Sequence, residues 1–197
     1  MTLEALESRI SSCRLCAGRF AATHTAHEPR PVAWPSPTAR ILIAGQAPGA
    51  RVHDSGRPFS DPSGERLRDW MGVDAATFYD RSKFAILPMA FCFPGYDAKG
   101  ADLPPPKLCA DHWRARVLAE MPQIRLTLLV GGYAQKWALG PAAQKTLTET
   151  VARWRDYGPA IIPLPHPSWR NTAWLRRNPW FEEDLLPPLR KRVHALL

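Results

Sequence analysis

Four short apolar runs constrain the fold of this chain more than any other feature. They cover residues 40–45, 84–89, 126–130 and 160–164, and a glycine or proline lies at or beside the end of each. Short continuous apolar runs are typical of strands buried on both faces. Segments with helical spacing lie around them, at residues 2–11, 63–71, 107–121, 133–139 and, as one or two helices, 174–197. This alternation predicts an α/β fold with a parallel sheet covered by helices on both faces.

The length of 197 residues fits a single domain, and we expect one domain over residues 1–197. Glycine, proline and polar residues predict loops at 21–39, 46–62 and 93–106. No apolar run approaches the roughly 18 residues of a membrane span, and no basic segment followed by an apolar run begins the chain. We therefore expect a cytoplasmic protein that makes no membrane contact.

The net charge of +8 favours a polyanionic partner, of which nucleic acid is the commonest. A basic enzyme without such a partner is the alternative that charge alone leaves open. Eight tryptophans exceed what a core of this size needs, which makes some of them candidates for facing a ligand.

Four cysteines occur as one close pair and two separate residues. Cys13 and Cys16 follow the first helix, whereas Cys92 and Cys109 flank the proline-rich segment 93–106. Cysteines in a cytosolic chain are more often metal ligands or free thiols than disulfides. Four thiolates can bind zinc or an iron–sulfur cluster, and unrelated buried cysteines are the other alternative. Spacing alone does not separate zinc from a cluster, and either would be structural.

Loops with unusual residues follow the first, second and fourth predicted strands. The carboxyl ends of parallel strands form one edge of a sheet, where ligands bind in such folds. Phe59 is an apolar ring in a polar loop and is a candidate for stacking on a planar ligand. Asp61 precedes a predicted helix and is equally a candidate N-cap. His166, held between two prolines, is rigidly aimed at the same edge, and the segment 169–171 mixes an aromatic, a cation and an amide as a DNA-probing wedge does.

Together these segments resemble the uracil-DNA glycosylase superfamily. Residues 45–49 are similar to its motif A, 56–59 to its aromatic stacking loop and 166–168 to its motif B. The four cysteines resemble, in order and approximate spacing, the [4Fe-4S] ligands of its families 4 and 5. The resemblance extends from Cys13 to about Asn171. It implies a monomeric three-layer α/β/α sandwich with a central parallel four-stranded sheet, and a structural [4Fe-4S] cluster in preference to zinc.

The resemblance also implies a role for each residue of the base pocket. Phe59 would stack on a uracil that has been flipped out of DNA. His166 would stabilise the negative charge that develops on uracil O2. The backbone of Gln46 and Ala47 would line the pocket.

The loop that holds Ser168 and Arg170 would enter the minor groove, with Arg170 filling the place that the flipped nucleotide leaves. The implied partner is DNA containing uracil, and the implied location is the cytoplasm, in association with the nucleoid.

Motif A of this chain lacks an acid. Family 4 carries Glu and family 1 carries Asp at the places that Gln46 and Ala47 hold here. Family 5 also lacks an acid there and uses an Asp shortly after the stacking aromatic. Asp61 resembles that Asp with a shorter spacer, so we assign it the water-positioning role, with Asp54 and His53 in reserve.

A second departure concerns how the base is read. Pro88 stands where many members have an Asn that reads the N3/O4 edge of uracil. Backbone groups near Met89 and the side chain of Asn171 are the candidate substitutes. The departure leaves open other deaminated bases, such as hypoxanthine or xanthine.

The sequence therefore predicts a monofunctional glycosylase that removes uracil from DNA in base excision repair. A non-catalytic iron–sulfur DNA-binding protein is the alternative, favoured by the acid-free motif A. A zinc-stapled nucleic-acid protein of another function is the third interpretation.

Overall fold

An all-parallel, four-stranded sheet forms the centre of the computed structural model, which describes residues 2–197. Its strands are β1 (Ile41–Ala44), β2 (Phe84–Ile86), β3 (Leu126–Val130) and β4 (Ile161–Leu164). They lie in the order β2-β1-β3-β4. In register, Ile41 pairs with Phe84 on one side and with Leu126 on the other, and Thr127 pairs with Ile161. The predicted parallel sheet of four strands is confirmed.

Helices surround this sheet and account for most of the remaining regular structure. The α-helices are α1 (Leu3–Ser11), α2 (Ala17–Ala21), α3 (Ala50–Ser55), α4 (Pro62–Met71), α5 (Ala75–Phe78), α6 (Lys107–Cys109), α7 (Ala115–Ala119), α8 (Gly132–Leu139), α9 (Leu147–Ala152), α10 (Thr172–Arg177) and α11 (Leu186–His194). Two π-helical segments, Ala110–Arg114 and Phe181–Leu185, and three 3₁₀ turns, Gly140–Ala142, Trp154–Tyr157 and Trp169–Asn171, complete them. Within residues 2–197, no helix is long and apolar enough to cross a membrane.

Several helices differ from the sequence-based expectation. The segment predicted as one helix, 107–121, is α6 and α7 joined by a π-helical turn, and it ends at Ala119. The predicted loop 46–62 contains α3. The segment predicted as one or two helices, 174–197, contains most of α10, the π-helical segment Phe181–Leu185 and α11, with Pro187 and Pro188 in the first turn of α11.

Different helices pack against the two faces of the sheet. Ile41 and Ile43 point to one face, which packs against α4 and α11. Leu42 and Ala85 point to the other face, which packs against α1 and α7. The chain is therefore an α/β/α sandwich, as predicted, and the loops at the carboxyl edge of its sheet hold the candidate site.

Candidate functional site

The loops after β1, β2 and β4 open onto one cavity of about 400 Å³. Gln46 and Phe59 follow β1, Pro88 follows β2 and His166 follows β4, and all four line the cavity. The volume lies in the range of roughly 300–1,000 Å³ that is usual for small-molecule sites. The prediction that these three strand-end loops converge is confirmed.

Phe59 lies at the cavity wall on a backbone of unusual conformation. Its φ of +53° lies in the left-handed region, which non-glycine residues seldom adopt. The carbonyl oxygen of Phe59 accepts hydrogen bonds from the Tyr79 phenol at 2.9 Å and from the Arg68 guanidinium at 3.4 Å. A Cβ at Gly64 would collide with that oxygen, so glycine is required there. Such local strain is typical of functional positions.

His166 is held at the cavity wall by two hydrogen bonds from the segment that follows it. The Ser168 N–H donates to the imidazole Nδ1 at 3.2 Å, and the Asn171 amide Nδ2 donates to the His166 carbonyl at 2.7 Å. Burial lowers the pKa of His166, although the carboxylates of Asp61 and Asp102 oppose that shift. The ring is therefore neutral near pH 7. Since Nδ1 accepts a hydrogen bond, its proton lies on Nε2.

Asp61 is a helix cap and a wall of the same cavity. Its Oδ1 accepts hydrogen bonds from the Ser63 hydroxyl at 2.6 Å and from the Gly64 N–H at 3.2 Å, at the start of α4. Both bonds use Oδ1, which leaves Oδ2 for a water molecule. The two interpretations of Asp61 are therefore compatible, because one carboxylate can cap the helix and face the cavity.

Of the other predicted pocket residues, some line the cavity and some do not. Gln46 and Ala47 line it, and the Gln46 carbonyl accepts a hydrogen bond from the Ala90 N–H at 3.0 Å. Met89 is 4 % exposed and its N–H donates to the Gly45 carbonyl at 2.9 Å, so this N–H is not free to read a base.

Within residues 2–197, Asn171 is not among the residues that line the cavity. Its amide is engaged with the carbonyl of His166, as described above. Asn171 therefore holds the histidine loop in place.

The wedge segment lies at the mouth of the cavity. The Ser168 hydroxyl accepts from the Arg170 N–H at 3.2 Å and caps a 3₁₀ turn. Trp169 is 73 % exposed. The Arg170 guanidinium lies 3.8 Å from an Asp102 carboxylate oxygen, and both side chains are more than half exposed. This turn presents an aromatic ring and a cation to solvent beside the pocket.

Sequence reasoning missed several residues of the site. Tyr96 and Asp102, which form an isolated bridge within the proline-rich loop, also line the cavity. Tyr79 and Arg68 hold the Phe59 carbonyl from outside the cavity. The sequence contains no local signal for any of these roles, because each arises from tertiary contacts.

The four cysteines line a second, smaller cavity whose wall is otherwise apolar, including Phe20 and Trp113. Burial raises the pKa of Cys92 and that of Cys109 to about 12, and in each case Cys13 and Cys16 add to the rise. All four cysteines line this one small cavity, so their thiols lie near one another. Thiols of this kind become thiolates when a bound cation compensates their charge.

Four thiol side chains around one space are a donor set that suits either a zinc ion or an iron–sulfur cluster. In the part of the chain that the structure describes, no group of three or more His, Cys, Asp or Glu side chains converges as the ligands of one metal ion do. The four cysteines line one small space. The Phe91 N–H also donates to the Cys109 sulfur at 3.3 Å.

Comparison with known families covers the base pocket and two of the four cysteines, since Cys13 and Cys16 precede the matched residues. The family model described as the uracil DNA glycosylase superfamily matches residues 33–190, most of the chain. The match includes Phe59, His166, Cys92 and Cys109. Together with the parallel sheet and the cavity at its carboxyl edge, it shows that this chain belongs to the uracil DNA glycosylase superfamily.

Proposed function

We propose that this protein is a DNA glycosylase that flips uracil out of DNA and hydrolyses its N-glycosidic bond, leaving an abasic site. Membership in the superfamily supports a DNA glycosylase acting on DNA. The observation that carries the proposal is the position of Phe59, Asp61 and His166 around one cavity at the sheet edge. These are a planar ring, a carboxylate and an Nε2–H donor, which are the groups that base excision needs.

The first step is extrusion of the nucleotide, because the glycosidic bond is not accessible inside a duplex. Phe59 provides a face on which the flipped base stacks, and its fixed backbone keeps that face in place before DNA arrives. Arg170, at the mouth, is the side chain that fills the vacated stack. The positive charge of the chain strengthens phosphate contacts.

Cleavage then separates charge between the sugar and the base. The His166 Nε2–H donates to uracil O2 as negative charge develops on the leaving base, and the donor is already oriented by its bond from Ser168. The free oxygen of Asp61 orients water and stabilises the cationic sugar. The overall reaction consumes one water molecule and releases uracil.

Pro88 supports a second candidate, a wider range of deaminated bases. It lies in the cavity wall and provides neither an N–H nor a polar side chain. A pocket without an edge-reading amide discriminates less between uracil, hypoxanthine and xanthine, since rejection of a wrong base depends on polar groups left unpaired.

We further propose that the protein is of the iron–sulfur type, resembling families 4 and 5, and that Cys13, Cys16, Cys92 and Cys109 bind a [4Fe-4S] cluster. No redox step occurs in base hydrolysis, so the cluster is structural. It would join the N-terminal segment, which holds one cysteine pair, to the chain around the proline-rich loop.

The decisive experiment uses end-labelled oligonucleotides with one uracil, hypoxanthine or xanthine, single-stranded and paired. The purified protein is incubated with each, and abasic sites are cleaved with alkali. Scission at uracil is expected, and scission at the purines tests the second candidate. His166→Ala should abolish most scission while retaining DNA binding. No scission at any base, from folded protein that binds DNA, would instead support a non-catalytic DNA-binding protein.

A further inference from the structure

Arg114 is a buried cation that the reaction described above does not use. It lies at the end of the π-helical segment that follows Cys109 and is 1 % exposed. Burial lowers its pKa, but only to about 10. The guanidinium is therefore charged at neutral pH, although it lies in the interior beside the end of β2.

The partners of Arg114 leave this charge without a carboxylate. One guanidinium nitrogen donates to the carbonyls of Leu87, at 2.5 Å, and Pro88, at 3.0 Å. The ring of Trp137 covers the group, with its centroid 4.6 Å from Cζ. Among the described residues, no acidic side chain pairs with Arg114, and its Nε has no hydrogen-bond partner.

A buried, uncompensated cation is strongly unfavourable, so its retention needs a source of negative charge. Cys109 directly precedes the π-helical turn that ends at Arg114, and its charged form opposes the lowering of the Arg114 pKa. A neutral thiol supplies no charge. Four thiolates around an iron–sulfur core leave a net negative charge on the cluster, and this charge would lie beside the guanidinium.

We propose that Arg114 is the internal counter-ion of the cysteine site and a positioning residue for the base pocket. The inference rests on the proposed iron–sulfur function. Arg114 follows Cys109 by one π-helical turn, and its guanidinium donates to the pair of carbonyls at the end of β2. Pro88 forms the cavity wall where a base-reading amide is otherwise expected. Arg114 thus fixes that wall relative to the cluster.

The test is the reduction potential of the holoprotein, measured with its iron and sulfide content. Arg114→Gln keeps hydrogen-bond donors but removes the charge, whereas Arg114→Lys keeps the charge. Removing a nearby cation makes a cluster harder to reduce, so the glutamine variant should have a more negative potential and lose iron faster. The lysine variant should remain closer to wild type on both measures. Arg116→Gln, an exposed position two residues away, is the control and should match wild type.

A second variant covers the case in which Arg114→Gln does not fold. Trp137 is 41 % exposed, so Trp137→Leu is tolerated more readily and admits water to the guanidinium. Hydration screens the cation, and the potential should again become more negative. Equal potentials in wild type, Arg114→Gln and Trp137→Leu overturn the inference.

Protein isolated without iron overturns both the cluster and the counter-ion role, whereas uracil release is tested separately on oligonucleotides.

A kinetic readout distinguishes a role of Arg114 in positioning the cavity wall from a role in overall stability. Arg114→Gln should lower the single-turnover rate of base release more than it weakens DNA binding, since the wall moves and the DNA surface does not. Parallel loss of both would indicate a role in folding alone.

Discussion

The phenol of Tyr79 donates a 2.9 Å hydrogen bond to the carbonyl oxygen of Phe59, from outside the cavity that the Phe59 ring lines. A residue in the left-handed region keeps that conformation only where its surroundings impose it. Tyr79 is thus part of the support that keeps the stacking face in place before a base arrives.

Loss of this bond should slow base release without unfolding the protein. Tyr79→Phe removes one hydrogen bond, worth about 1 kcal/mol, and we expect roughly a fivefold decrease in single-turnover rate on uracil DNA. Tyr157→Phe is a matched control, because its phenol also donates to a backbone carbonyl, that of Ala142, away from the cavity. Equal effects of the two substitutions on the rate would contradict a specific role for Tyr79.

The contact between Gly64 and Phe59 predicts a large effect of a single methyl group. Gly64→Ala places a Cβ against the Phe59 carbonyl and should lower the free energy of unfolding by about 1–3 kcal/mol. Gly18→Ala is the control, since a Cβ at that position would have no neighbour within 4 Å and alanine favours a helix. Denaturant titration of both variants measures the difference. A Gly64→Ala protein as stable as wild type would show that this turn is not constrained.

Substitutions of Asp61 separate its two roles. Asn is as good an N-cap as Asp but carries no charge, so Asp61→Asn should leave stability nearly unchanged and slow base release by about 10²-fold or more. Asp61→Ala should additionally lose about 1 kcal/mol of stability. Asp74→Asn, at the N-cap of α5, is the matched control for the capping role. Unchanged release by Asp61→Asn would show that Asp61 is only a cap.

The state of His166 predicts the acid limb of the pH–rate profile. Burial holds its pKa below the usual 6.5, so the ring stays neutral until the pH falls below that value. Protonation places a hydrogen on Nδ1 and breaks its bond from the Ser168 N–H, so activity should fall there. Asp61→Asn removes a charge that raises this pKa, and should move the limb to still lower pH. An acid limb centred at or above 6.5 would contradict the assignment.

The same shift has a consequence for stability. Below pH 6.5 the unfolded chain protonates this histidine while the folded chain does not, so folding becomes less favourable as the pH falls toward the folded-state pKa. Over that interval, denaturant titration should show a smaller loss of stability for His166→Gln than for wild type.

The ion pair between Arg170 and Asp102 predicts tighter DNA binding when the acid is neutralised. Both side chains are largely exposed, so the pair itself is worth no more than about 1 kcal/mol. Asp102→Asn frees the cation and removes a charge that repels phosphate, and should tighten duplex binding severalfold at low salt. Asp102→Glu is the control. Fluorescence anisotropy at several salt concentrations measures the effect, and unchanged affinity would argue against Arg170 facing DNA.

Much of the architecture follows from the sequence because buried parallel strands are continuous apolar runs. Those runs predicted the sheet, and the sheet brought Phe59 and His166 to one edge. Short helices were harder, because they contain too few residues for a periodic pattern. One of them, α9, does have a local sequence signal, the Thr146–Glu149 capping box.

The candidate site was only partly predictable for a different reason. Residues that follow a strand can be placed from topology, whereas Tyr79, Asp102 and Arg114 acquire their roles from contacts distant in the chain. Met89 lies next to Pro88 in sequence, but its N–H bonds to Gly45, a pairing that no local pattern reveals.

The order of the strands along the chain imposes an order on biosynthesis. Cys92 and Cys109 precede β3 and β4, whereas His166 follows both. A growing chain therefore acquires all four thiols while its sheet is still half built. At that stage β1 can pair with β2 on one side, but its other edge has no partner until β3 has been synthesised. Until β3 leaves the ribosome, the central strand has an open edge, and at that stage the nascent protein is most exposed to aggregation.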